Sequence, residues 1–128
     1  MTIKKDITET IKSFADAMQA TGRPDVPDFS NLPEDLRTYF ENQYKMAVIT
    51  EALNEGWNPD WADGGQQKWF PWFYHKPKSS SGFAFGGTIY RLSAARAGDG
   101  ARLCFRTKAL ATYAGEQFLE IWNAILLK

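Results

Sequence analysis

Between Gly56 and Lys76 the chain reads GWNPDWADGGQQKWFPWFYHK and carries Trp57, Trp61, Trp69 and Trp72, four of its five tryptophans. So much aromatic surface in so few residues needs a core to enter or a ligand to stack on, because these are the largest apolar side chains a protein has. The first half of the stretch, NPDWADGGQQ, is turn chemistry carrying two indoles, which are expected to fold back over the end of a preceding helix. The second half, KWFPWFYHK, has the aromatic enrichment of a strand. Pro71 donates no hydrogen bond, which places that strand at a sheet edge or at a bulge.

The 128 residues, 44% of them hydrophobic, suffice for one buried core, and a single domain spanning 1–128 is expected. Ile3, Ile7, Ile11, Phe14 and Met18 are spaced to share one stripe of a helix over about residues 3 to 20. Its other side is polar, so this N-terminal amphipathic helix, occupying 1–22, should lie outside the core or against a partner chain. Thr21 and Gly22 end it. The segment 23–31, RPDVPDFSN, has two prolines and no periodicity and reads as a linker that lets the helix move or swap between subunits. The core then runs over 32–128.

A second helix opens at LPEDL, with Pro33 at the first helical position and Glu34 and Asp35 at the positive end of the dipole. Its apolar residues from Leu36 to Leu53 form a band too wide for one face. That marks a central helix, ended by a left-handed cap at Gly56. After KWFPWFYHK and the connection KPKSSSG, a second strand GFAFGGTIYRL should place Phe83, Phe85 and Ile89 on one face and Thr88, Tyr90 and Leu92 on the other. Gly86 and Gly87 suggest a bulge or a close backbone approach within it. A hairpin through Gly98, Asp99 and Gly100 returns ARLCFR as a third strand, with Leu103 and Phe105 opposite Arg102, Cys104 and Arg106. Thr107 caps a last helix, within which Gly115 marks a tight crossing. The expected fold is α+β: a three-stranded antiparallel sheet packed on helices, in the order α-α-β-β-β-α.

Charge is distributed unevenly although it sums to zero. Residues 1–64 hold six basic and twelve acidic side chains, a balance of −6, and residues 65–128 hold nine and three, a balance of +6. The two halves either pair with each other or present a basic face to an anionic partner. Cys104 is the single cysteine and His75 the single histidine, which excludes an internal disulfide and makes a cysteine-based metal site a poor fit. No apolar run is long enough to span a bilayer, and the first residues lack the apolar stretch of a signal peptide, so a cytoplasmic protein without membrane association is expected.

Three strings, LPEDLRTYFENQYKMAVITEALNEGWNPDW, KWFPWF and RLCFRTKALATYAGEQF, together with their order, resemble small proteins encoded in bacteriophages and prophages of gut Bacteroidetes. The resemblance covers residues 32 to 118 with gaps, and the part around Lys76 to Ala101 diverges. It implies a mobile-element context and a cytoplasmic protein. No activity, cofactor or catalytic residue accompanies the group.

Chemistry-bearing motifs are weak. Cys104 and His75 have no third orienting group marked, Asp60 and Asp63 do not fall at the positions of a calcium loop, and GFAFGGT lacks the GK[ST] ending of a phosphate loop. No cofactor, catalytic residue or metal ligand is therefore assigned. The expected function is a non-enzymatic phage or prophage accessory protein acting through a protein partner or self-association. One alternative is single-stranded nucleic-acid binding on a basic aromatic sheet face made of Trp69, Trp72, Tyr90, Arg102, Arg106 and His75, where rings stack on bases and guanidiniums take phosphates. The other is an enzyme with a site under the 56–65 loop, using Asp60, Asp63 or His75.

Overall fold

The computed structural model describes residues 6–75, 83–94 and 101–126. Ile3, the connection at 76–82 and the hairpin turn through Gly98, Asp99 and Gly100 lie outside the described residues. Five helices and two strands follow in the order α1 (Ile7–Thr10), α2 (Phe14–Thr21), α3 (Glu34–Asn54), β1 (Lys68–His75), β2 (Phe83–Arg91), α4 (Lys108–Gln117) and α5 (Leu119–Leu126), with a short 3-10 turn at Ala101–Leu103 before α4.

The N-terminal stripe is broken where one helix was expected, because two capping residues compete for it. Asp6 accepts from Thr8 N at 2.9 Å and starts α1, while Ser13 accepts from Asp16 N at 3.1 Å and starts α2. Ser13 and Asp16 form the S-x-x-D variant of a capping signature, and Ile11 between the two helices is extended at φ −101° and ψ 96°. The break turns Ile11 and Ala17 fully into the core. The Tyr113 hydroxyl donates to Ile11 O at 2.5 Å and Gln117 Nε2 to Lys12 O at 3.1 Å, so α4 holds the break in place. The linker is tied as well: Arg23 meets Glu51 with two bonds of 2.9 Å, and the Tyr44 hydroxyl donates to Pro24 O.

Helix α3 is the centre of the molecule. Met46, Val48, Ile49, Ala52 and Leu53 from its second half pack with Phe83, Phe105, Leu110, Ala114, Phe118, Trp122 and Ile125. Its end is tighter than expected: Glu55 takes the left-handed cap at φ 49°, and Gly56 follows at φ 87°. The last helix is bent into α4 and α5 at Phe118. There the buried Trp122 indole N–H donates to Ala114 O at 3.1 Å, a carbonyl that also keeps its bond from Phe118 N at 3.2 Å.

The sheet corrects the three-stranded expectation, since among the described residues it holds two antiparallel strands, β1 and β2. ARLCFR meets β1 at a single antiparallel bridge, Trp69 with Phe105, through bonds of 2.9 and 2.7 Å. The reason lies on either side of Phe105, where Ala101–Leu103 is coiled into a 3-10 turn and Thr107 already caps α4. Asn54, 4% exposed, donates from Nδ2 to Cys104 O at 2.9 Å and accepts Arg106 N on Oδ1 at 3.1 Å. Phe105 turns its own N–H and C=O to β1, so Cys104 O and Arg106 N point the other way, and the Asn54 carboxamide satisfies that far side.

The face assignment within β2 is corrected too. Trp72 pairs with Gly87 and Phe73 with Phe85, leaving Gly86 as an extra residue in β2. Phe83 and Phe85 point with Phe73 toward the helices, whereas Ile89 pairs with Phe70 and lies on the opposite, outer face. On the inner side α4 crosses closely at Gly115, where a Cβ would stand 2.5 Å from the Phe85 ring and 2.9 Å from Pro71 Cβ.

Candidate functional site

The six residues expected on one basic aromatic face are placed in several environments. Trp69 and Tyr90 are cross-strand partners with ring centroids 5.0 Å apart, on the helix side of the sheet. Trp72 lies on the outer side. Arg106 is ion-paired with Glu55 at 2.6 Å, and Arg102 borders a cleft at the end of α3. His75 contributes its backbone to the last rung with Phe83, and its side chain lies outside the described residues.

The outer face has two halves. At the near end Lys68 is fully buried, and its ammonium donates to three carbonyls, Asp63 O at 3.3 Å, Gln66 O at 3.1 Å and Leu92 O at 2.5 Å, while lying 5.0 Å from the centre of the Trp61 ring. Three acceptors match the three donors of the ammonium, and the indole face adds a cation–π contact. Lys68 thereby fastens the loop of residues 57–67 to both ends of the hairpin. Phe70, two residues on and on the same face, is buried as well.

The far half is open. Trp72 (39% exposed), Tyr74 (47%) and Ile89 (43%) form an apolar surface, with the Trp72 and Tyr74 rings 5.0 Å apart in a T-shaped arrangement. Trp72 is held in position. Its ring lies on the backbone of Gly86 and Gly87, so closely that a Cβ at Gly86 would collide with it, and a Cβ at Gly87 would come within 3.2 Å of Nε1. The glycine pair noticed in the sequence is therefore a seat for the indole. Tyr74 and Ile89 were not singled out as site residues. The parity change at the bulge is the signal that would have found Ile89.

The loop itself spends its carboxylates on turns. Asp60 Oδ1 accepts from Ala62 N at 3.0 Å and Asp63 Oδ1 from Gly65 N at 2.8 Å, and both residues are exposed. Among the described residues no three His, Cys, Asp or Glu side chains gather as a metal-binding group.

Beneath residues 56–59 lies a cleft of about 310 Å³, bordered by Glu51, Asn54, Trp57, Asn58, Arg102 and Cys104 among others. Its polar groups differ in how far they are committed. Asn54 has both ends of its carboxamide occupied, and Trp57 N donates to Asn54 O at 3.0 Å. The Arg23 guanidinium holds the Glu51 carboxyl below its usual range, chiefly by hydrogen bonding, with Arg102 adding a weaker pull. Burial pushes the Cys104 thiol from 9.0 up to about 11, which makes it a packed residue and a poor nucleophile at neutral pH. Arg102 is exposed, and among the described residues its guanidinium has no hydrogen-bond or ion-pair partner.

No described helix is long and apolar enough to cross a membrane. No protein-family model, curated protein or solved structure matches the chain, and its function has to be argued from its own surfaces.

Proposed function

We propose that this chain is a non-enzymatic binding protein that docks a protein partner on the outer face of its sheet, through Trp72, Tyr74 and Ile89. The observation that carries this reading is the immobilised yet solvent-facing indole of Trp72, seated on Gly86 and flanked by Tyr74. Tryptophan and tyrosine are enriched among the few residues that dominate protein interfaces. A ring already fixed in place loses little freedom on binding. The three exposed members carry no charge, which favours an apolar protein surface over a nucleic acid. Nucleic acid needs cations beside the rings, and Arg106 is already engaged by Glu55. The enzyme reading has less support, since Asp60 and Asp63 serve turn amides and neither borders the cleft. The resemblance of the three sequence strings supports a phage or prophage setting for this partner binding.

Light scattering on the wild-type protein and on Ile89→Lys, which puts a charge on the platform without disturbing the seat of Trp72, tests the proposal. If the partner is a second copy, the wild type forms a concentration-dependent dimer that Ile89→Lys dissolves. A different partner leaves the wild type monomeric and is retained from host extract by the wild type but not by the variant. Identical behaviour of the two proteins in both assays overturns the proposal. Salt-sensitive binding of a short single-stranded oligonucleotide, lost in Arg102→Ala/Arg106→Ala, would replace it with the nucleic-acid reading.

A further inference from the structure

The cleft under residues 56–59 is separate from the Trp72 platform and carries an inference of its own. Its charges do not cancel. Glu51 receives two bonds of 2.9 Å from Arg23, one to each carboxylate oxygen, and so has its counterion already. The end of α3 is closed in the same way, with Glu55 N on Ala52 O and Trp57 N on Asn54 O. Arg102 is left as a guanidinium at the rim with no partner among the described residues. Because Arg23, outside the lining, neutralises Glu51, the Arg102 guanidinium is the surplus charge of the cleft and stands with the Trp57 indole around a space of about 310 Å³. That volume lies at the small end of the range that ligand pockets occupy.

We propose that this cleft binds a small monoanion with a flat apolar body, an aromatic or heterocyclic carboxylate. The carboxylate is received by Arg102 and the ring lies against Trp57. A guanidinium matches a carboxylate with two parallel charge-assisted hydrogen bonds, which gives it a preference for this group over a neutral amide of the same shape. The indole supplies the apolar contact that orients the ring. The buried Cys104 and Asn54, whose carboxamide is engaged at both ends, make the floor a structural one, so the site binds without reacting.

Benzoate is a suitable probe and benzamide its neutral counterpart. The Trp57 indole N–H resonance, assigned with Trp57→Phe, is followed by NMR as each is added. Benzoate is expected to shift that resonance saturably at millimolar concentration. Benzamide should bind about tenfold or more weaker, the loss expected when a charge-assisted pair is removed. Arg102→Gln should abolish the preference for benzoate while changing the melting temperature little, because Arg102 is exposed and makes no hydrogen bond or ion pair with the described residues beyond a weak pull on Glu51. Ile89→Lys should leave benzoate binding intact, which separates failure here from failure of the partner reading. Absence of a saturable shift, equal response to the two probes, or undiminished benzoate binding by Arg102→Gln would each overturn the proposal.

Discussion

Asn54 ties the end of α3 to the segment that leads into α4. Its carboxamide reaches about 50 residues along the chain to satisfy the backbone on both sides of Phe105, and it does so from a buried position where water offers no substitute. Asn54→Ala leaves Cys104 O and Arg106 N without these partners, and an unsatisfied buried group costs about 1 to 3 kcal/mol. The expected loss is about 2 to 4 kcal/mol by urea unfolding, with the m-value unchanged. Nothing in the sequence announces this role. An asparagine two residues before Gly56 reads as ordinary helix-end composition, and only the fold brings Cys104 and Arg106 to it.

At the scale of elements, much of the helical layout was legible because apolar residues at a period of 3.6 leave few alternatives. The third strand was misread for a reason that recurs with short segments. Alternation in RLCFR is satisfied equally by a full strand and by one bridge at Phe105, and the choice was made by the flanks, a 3-10 turn over Ala101–Leu103 and the cap of α4 at Thr107. The break at Ser13 was legible in principle, through Ser13 and Asp16, but the regular isoleucine spacing outweighed it. The bulge was anticipated at Gly86 and Gly87, yet its effect on face parity was not followed through to Ile89, and so one of the three members of the open platform was put on the wrong face. Packing between elements also reverses a propensity rule at Gly115. Alanine there favours an isolated helix by about 1 kcal/mol. Its methyl, however, would press on Phe85 and Pro71, and such overpacking costs about 1 to 3 kcal/mol. Gly115→Ala is therefore expected to lower the thermal midpoint, where propensity alone predicts a rise.

For the molecule as a whole, the buried and paired ionisable groups set opposite limits on pH. The Glu51 carboxyl is depressed in the folded state by Arg23, so its contribution is present above the ordinary value of 4.5 and is lost as pH falls through the folded value. The Cys104 thiol is raised by burial from 9.0 to about 11, so stability is unaffected below pH 9 and falls as the unfolded chain ionises between 9 and 11. Two pH units correspond to about 2 to 3 kcal/mol. Burial pushes the Tyr113 phenol in the same direction. Urea midpoints compared across pH 8 to 11 for wild type and Cys104→Ala should converge at the alkaline end, since alanine has no proton to lose.

The bond from Tyr113 to Ile11 and that from Gln117 to Lys12 join residues 102 and 105 positions apart. A ribosome adds about 5 to 20 residues each second, so this interval lasts about 5 to 20 seconds. For all of that time Ile11 and Ala17, which end fully shielded, have emerged without the α4 surface that later holds the break between α1 and α2. Residues 7–21 are therefore made well before the surface that secures them. Until residues 113 and 117 join them, Ile11 and Ala17 are apolar surface without cover from α4.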